Sequence, residues 1–502
     1  MARLKNYTRS LASGYALMAV NIVYSLAMIP LALTHLDQSV FGIWAVVVQI
    51  GVFLQLTDLG MTGAFVRILI EHKDATDRKN YASVIKTMWM VFCLQGVVIG
   101  CLGWFLAPLL GKLFKIDPEL QPLFTDFMRV YLAIFGLTIG VKVFELTLSA
   151  HQRNDLVNLN SMLGFAAGFA VLWLGLRSGW GLWAVVWAYG TIVLLSSFLS
   201  AWQSRRNGVL PSGLMAVRFS RERFQEVFDY GKDRFLVTAG YVALQAAPTF
   251  LVTRFLGLEA AAAWMVGTRA FYLCVQAVGR LCDFAYPAFA EMYVRNELAR
   301  LKNRFISLLD ITVLTAGLLG VAIALLNTDF VTVISRGVIV WDSRLDPLLG
   351  LWLITVIIRK TAWLPIGASM RLGFMRFVDV AEALVMIVGV VIILTWNDTL
   401  QGALLGVLLA SFLGGAPYCI RRSGQILNVA GWGLLREPVA TLLSTVVPLA
   451  IAAWVLDFLP NPGGLTGLAL KGSLLGIIAA MLLVARPKYR NLIGEMVWKL
   501  DR

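Results

Sequence analysis

The residues best placed to do chemistry in this chain are charges that stand inside long apolar runs. Arg269, Tyr272, Gln276, Arg280 and Asp283 recur at steps of three, four, four and three, the spacing that lines side chains along one face of an α-helix. Over that stretch a helix advances about 21 Å, most of the depth of a bilayer. A charge at the hydrocarbon centre costs at least about 2.5 to 3.5 kcal/mol on insertion scales, so such groups face a cavity or a partner. The stripe therefore reads as the wall of a wet, cationic cavity, with an Arg280–Asp283 pair and packing polar groups as the plainer alternative. Arg359 and Lys360, between Trp352 and Trp363 in another apolar run, need partners from outside their helix. An acid on a neighbouring helix or the phosphate or carboxylate of a bound anion would serve. Arg67 and Lys142 complete the candidate binding cations, although Glu71 and Glu145 follow them at helical spacing and local pairs explain them equally well.

Asp58, Glu145 and Asp283 are the carboxyls suited to carry a proton or a sodium ion, or else to neutralise an arginine; both roles stay open. Asp310, Asp379 and Glu382 also lie in or beside apolar runs. No GxxxxGK[ST], HExxH or GxSxG grouping occurs, which removes the motif-bearing ATPases, zincins and hydrolases. A membrane polymerase or ligase usually presents a substantial outer loop, whereas the longest here is about 107–125. The chain is accordingly read as a non-enzyme without catalytic residues. His35, His72 and His151 show no metal-ligand spacing, and the five cysteines include no CxxC pair, so neither a metal nor a cofactor is expected.

The elements that must position these residues follow from composition. Of the 502 residues 59% are apolar and 14% charged, against roughly 25% charged in an ordinary soluble domain. Apolar runs of about 18 to 24 residues match the length of a membrane-crossing helix, and the short alternating segments of a barrel are missing. The expectation is an all-α integral membrane protein of about 14 transmembrane helices. They lie near 11–33, 40–66, 83–106, 126–149, 159–177, 181–202, 233–255, 259–287, 305–326, 346–369, 378–396, 402–420, 439–459 and 467–485. The first run is too long for a signal-peptide core and is read as a retained helix. Most Lys and Arg fall in alternate loops, which places both termini in the cytoplasm of a bacterial inner membrane. That topology accounts for the net charge of +14 and leaves no case for nucleic acid.

A basic stretch, 204–232, mixes Arg205, Arg206, Arg218, Arg221 and Arg223 with Val217, Phe224 and Phe228. It reads as an interfacial amphipathic linker resting on membrane lipids. It separates a six-helix lobe, 1–203, from a second, 233–420, with two further helices and a basic tail in 421–502. Six crossings restore the starting side, so the two lobes would be related by a pseudo-two-fold axis along the membrane normal. Gly96–Gly100, Gly136–Gly140 and Gly164–Gly168 have the spacing that lets helices approach closely.

Phe41-Gly42-Ile43-Trp44, then Phe53-Leu54-Gln55-Leu56-Thr57-Asp58-Leu59-Gly60-Met61 with Ala64 and Arg67, Ala150-His151-Gln152-Arg153-Asn154, and Tyr286-Pro287-Ala288-Phe289-Ala290 carry a resemblance. In these patches the chain resembles the polysaccharide and O-antigen flippases of the multidrug/oligosaccharidyl-lipid/polysaccharide exporter superfamily. The resemblance implies a two-lobed bundle that alternates between inward-open and outward-open states. Its cargo would be a polyprenyl-pyrophosphate-linked oligosaccharide for surface polysaccharide, moved from inner to outer leaflet beside other polysaccharide assembly proteins. The alternatives are a multidrug/ion antiporter of the same superfamily and a membrane polysaccharide polymerase or ligase. Organic cations suit an acidic cavity, so the local excess of Arg and Lys favours an acidic head group.

Overall fold

The computed structural model describes residues 2–58, 60–72, 78–211, 214, 217–369, 374–457 and 464–484, and apart from short turns and loops these are helical throughout. Thirteen of the helices among the described residues are long and apolar enough to cross a membrane, which makes this a multi-pass membrane protein. One of the thirteen, Thr238–Val294, runs 57 residues. A straight helix of that length would extend about 85 Å, nearly three times the hydrocarbon thickness of about 30 Å. Gly257 breaks it with φ 86° and ψ −178°, a conformation that a Cβ disfavours. The break falls between the expected spans at 233–255 and 259–287, so this stretch accounts for two of the fourteen.

Two compact units divide the chain, Met1–Ala262 and Ala263–Arg502. The division lies within α8 (Arg221–Gly267), whereas the sequence reading parts the lobes at the linker. The first unit contains α1 (Ala2–Leu33), α2 (Gln38–Leu54), α3 (Met61–His72), α4 (Arg78–Leu113), α5 (Gln121–Ala150), α6 (Asn154–Arg177), α7 (Trp183–Arg206) and most of α8. α4 and α5 meet through glycine: a Cβ on Gly96 would lie 2.1 Å from the Gly136 carbonyl oxygen, and one on Gly136 2.4 Å from that of Gly96. α6 meets α7 the same way, with Gly164 against the Ile192 carbonyl. Gly100, by contrast, faces open space.

The expected span at 40–66 is not one helix. α2 ends in a 3-10 turn, Gln55–Asp58, and α3 restarts at Met61, with Gly60 at φ 75° between them. The described part of the 204–232 linker folds onto its own unit as well as offering basic residues outward. Val227 is buried in the core formed by Phe65, Ile85, Met88 and Phe92, with Leu210, Leu214 and Phe224 packed on it. Tyr81 Oη donates to the Val209 carbonyl at 3.1 Å, and Thr87 Oγ1 accepts from the Ser220 amide at 3.1 Å.

The second unit contains α9 (Arg269–Val294), α10 (Leu298–Ser335), α11 (Asp346–Ser369), α12 (Met375–Trp396), α13 (Leu400–Leu413), α14 (Gly415–Ile426), α15 (Gly431–Asp457) and α16 (Gly464–Val484). α10 is its centre, packed by α9, α11, α15 and α16. The two C-terminal helices are thus part of this unit: Leu442 and Val446 fill the space over Gly317, and Lys471 reaches Asp329 at 3.4 Å. Asp346, buried at the start of α11, ties the far end of α10 down. It accepts from Asn327 Nδ2 at 2.8 Å, Trp341 Nε1 at 2.7 Å, and both the amide and hydroxyl of Thr328. The expected span at 402–420 is broken at Gly414, between α13 and α14.

Candidate functional site

α9 is amphipathic within an apolar bundle. Phe271, Val278, Cys282 and Phe289 are buried on one face, while Gln276, Arg280 and Asp283 are exposed and Arg269 and Tyr272 half-buried on the other. The stripe read from the sequence is therefore a real face of the second unit. Arg280 and Asp283 are 45% and 49% exposed, too open for groups that would have to meet acyl chains.

Lys360 joins this face from α11. Its Nζ lies 3.4 Å from Asp283, and Arg280 approaches the same carboxylate at 4.0 Å. Two cations share one acid, so this half-exposed cluster carries a net positive charge. Gly279 makes the reach possible: a Cβ there would lie 2.4 Å from Lys360 Nζ. At the other end of the stripe, Arg269 Nε is buried without a hydrogen-bond partner among the described residues. An unsatisfied guanidinium donor is costly to bury, and it is a ready contact for an oxyanion.

Arg359 is in a different situation from its neighbour. It faces α12, where it pairs with Asp379 and, at 3.4 Å, with Glu382. The side chains of both acids are nearly sealed, 5% and 0% exposed. Glu382 also accepts the Gly415 amide at 2.8 Å, at the break that starts α14. Arg359 is thus committed inside the unit, and of the two adjacent cations only Lys360 lies on the open face.

In the first unit, Lys142 is three residues from Glu145 but turns away from it. Its Nζ donates to Thr62 Oγ1 at 2.9 Å and lies 3.8 Å from Asp58. Asp58 accepts from the Thr62 hydroxyl and, at 3.2 Å, from the Thr62 amide. It thereby caps the restarted α3, satisfying one of the amides that a helix leaves open at its start. Gln95 Nε2 donates to the Thr57 carbonyl at 2.9 Å and holds the turn from the other side. Glu145 instead accepts from Ser196 and Ser197 of α7, at 3.3 and 3.2 Å. Arg67 is exposed on α3, and the side chain of Glu71, its expected partner, lies outside the described residues.

Arg359 apart, the site residues fall into two sets. Arg269, Tyr272, Gln276, Arg280, Asp283 and Lys360 are brought onto one surface of the second unit, whereas Asp58, Arg67, Lys142 and Glu145 belong to the first. Nothing in their type or spacing singles out Asp346 or the serines facing Glu145. Asp346 opens a span, where a carboxylate is unremarkable, and serines in apolar helices are common. Among the described residues no group of three His, Cys, Asp or Glu is arranged to hold a metal ion.

The fold resembles that of known transporters. The lipid II flippase MurJ in an inward closed conformation matches with a TM-score of 0.68 at 12% identity, over 96% of this chain and 99% of that one. A multidrug resistance MATE family transporter of the MOP superfamily, inward-facing, matches with a TM-score of 0.67 at 13% identity, over 81% and 95% of the two chains. A MOP superfamily transporter from Pyrococcus furiosus, described as having a binding pocket of reverse polarity, matches with a TM-score of 0.58 at 16% identity, over 84% and 96%. At such identities the likeness speaks for the fold alone. No curated protein sequence matches the chain. Residues 16–335 match the family described as polysaccharide biosynthesis protein, a stretch that takes in α2 through α9 and the cationic stripe, and the chain belongs to that family.

Proposed function

We propose that this protein is a flippase that moves a polyprenyl-pyrophosphate-linked oligosaccharide from the inner to the outer leaflet of a bacterial inner membrane, by alternating access, during surface polysaccharide assembly. The observation that carries this reading is the α9 face, where among the described residues Arg269 has a buried guanidinium donor without a partner and Arg280 and Lys360 outnumber their one acid. Such a face suits an anionic head group, with Tyr272 and Gln276 offering hydrogen bonds to sugar hydroxyls, while the prenyl chain stays in lipid. Membership of a polysaccharide biosynthesis family and a fold like that of a lipid II flippase agree with a lipid-linked sugar. Arg359, matched by two acids, is left out of the binding set, and Arg67 and Lys142 remain candidates of the first unit. The distribution of Lys and Arg over the loops supports cytoplasmic termini.

The test is leaflet sidedness. Purified protein in liposomes receives a labelled polyprenyl-pyrophosphate oligosaccharide, and its exposure to an enzyme added outside is scored. Protein-dependent movement is expected for the parent, and its loss for the triple variant Arg269→Gln, Arg280→Gln, Lys360→Gln at normal yield. Retained movement in that variant sinks the site. Failure of the parent to move any lipid-linked sugar, with transport of soluble organic cations instead, moves the protein to the drug-exporter class.

A further inference from the structure

Of the three carboxyls singled out as ion carriers, two serve the packing of the first unit: Asp58 caps α3, and Glu145 accepts two serine hydroxyls of α7. Asp283 stands instead on the α9 face, where its charge has the wrong sign for an anion site. Beside Lys360 and Arg280, a carboxylate repels the anion that those cations would hold and competes with it for them. A need for neutralisation does not account for it. Lys360, Arg280 and Asp283 are 38%, 45% and 49% exposed, so water already screens their charges, whereas the sealed Arg359 depends on its acids.

The contacts of Asp283 are of a kind that can be exchanged. Its carboxylate lies 3.4 Å from Lys360 and 4.0 Å from Arg280, and exposed ion pairs at such distances add little to stability. The scaffold under them does not depend on them. Cys282, next to Asp283, meets Thr361, next to Lys360, in the buried layer beneath, with Sγ 3.4 Å from Oγ1. Thr361 Oγ1 in turn lies 2.9 Å from Thr312 Oγ1 of α10. One turn on from Cys282, Tyr286 Oη donates to the Gly367 carbonyl at 3.3 Å. α9 and α11 are therefore joined from behind, and the three charged groups in front can change partners without a backbone shift.

We propose that Asp283 is an internal counter-ion that the cargo displaces. It holds Lys360 and Arg280 between rounds of transport, yields them to a phosphate of the head group, and takes them back as the phosphate leaves. The inference rests on the transport reading above. A carrier has to release what it binds, and two cations with no competing anion would retain a diphosphate. Asp283 thus lowers affinity and speeds release, because every return of the carboxylate to the cations helps the phosphate off. Only ion contacts are exchanged; no covalent bond forms or breaks.

The full chain in detergent is titrated with a labelled oligosaccharyl diphosphate freed of its prenyl chain, and the sidedness assay is run with the intact lipid-linked sugar. Asp283→Asn should lower the Kd for the diphosphate about tenfold or more, and should lower both the half-saturating concentration and the maximal rate of movement. Asp283→Glu keeps the charge and should bind like the parent. Glu291→Gln removes another α9 carboxylate, one paired with the exposed Arg295 at 2.6 Å, and should leave the Kd unchanged. An equal shift in that variant would make the effect one of bulk charge and overturn the proposal. If Asp283→Asn does not accumulate, Asp283→Ala is read in its place. Binding that is absent, unchanged or weaker in the Asp283 variant overturns the proposal, and so does loss of ion-gradient acceleration at unchanged Kd, which would make Asp283 an ion carrier. A parent that moves no lipid-linked sugar, but whose diphosphate binding tightens in Asp283→Asn, sinks the transport reading and leaves the counter-ion standing.

Discussion

Arg359 and Lys360 follow one another on α11, about 100° apart around the helix axis, and that rotation puts them in opposite surroundings. Arg359 is held between two nearly sealed carboxylates of α12, one of which also takes the first amide of α14. Lys360 crosses Gly279 to reach the half-exposed Asp283 of α9, which it shares with Arg280. The closed cluster has more acids than bases and the open one more bases than acids. A cation in a membrane helix is thus no guide to substrate by itself. What matters is whether its charge has already been met inside the fold.

The contrast is open to direct attack. The largest expected effect comes from Arg359→Gln, which leaves two carboxylates buried around a neutral side chain. Breaking a buried pair by removing one partner costs about 3 to 5 kcal/mol, so the variant should lose its melting transition or fail to accumulate. Adding Asp379→Asn and Glu382→Gln should restore much of that stability. A single variant that melts like the parent would mean that the cluster is not closed after all.

Neutralising the open cluster should do the reverse. For Arg280→Gln with Lys360→Gln, stability should change by no more than about 1 kcal/mol, as for exposed ion pairs. Translocation of the lipid-linked sugar should fall about tenfold or more, so melting and sidedness measured on one preparation separate the two roles. Salt sharpens the same distinction: between about 0.15 and 1 M the screening length shrinks from about 8 to about 3 Å. The Lys360–Asp283 coupling in a double-mutant cycle should fade over that range, while the Arg359–Glu382 coupling should persist. The smallest effect is expected from Gly279→Ala. The three atoms nearest its Cβ would all belong to the end of the Lys360 side chain, which can swing aside. Stability should change by within about 0.5 kcal/mol, with the Lys360–Asp283 coupling measurably reduced.

Some of this was legible in the residues alone. The lengths of the apolar runs gave the crossings, because a bilayer of fixed thickness demands a fixed number of helical residues. The steps of three and four from Arg269 to Asp283 gave the polar side of α9, because periodicity is a local property of one helix. Breaks were harder to see. Gly60 and Gly257 interrupt helices at φ 75° and 86°, yet many other glycines in these spans sit in regular helix, where they admit a neighbouring backbone.

Tertiary structure alone decided which charges cancel. Lys142 lies three residues from Glu145 on the same helix and still pairs with Asp58, because the broken second span carries Asp58 and Thr62 to it. Arg359 is neutralised and Arg269 left with an open donor because α12 brings two acids to the first and, among the described residues, none reaches the second. Helical spacing fixes which way a side chain points. Which helix stands opposite is set by the packing of the whole unit, and an ion pair needs both.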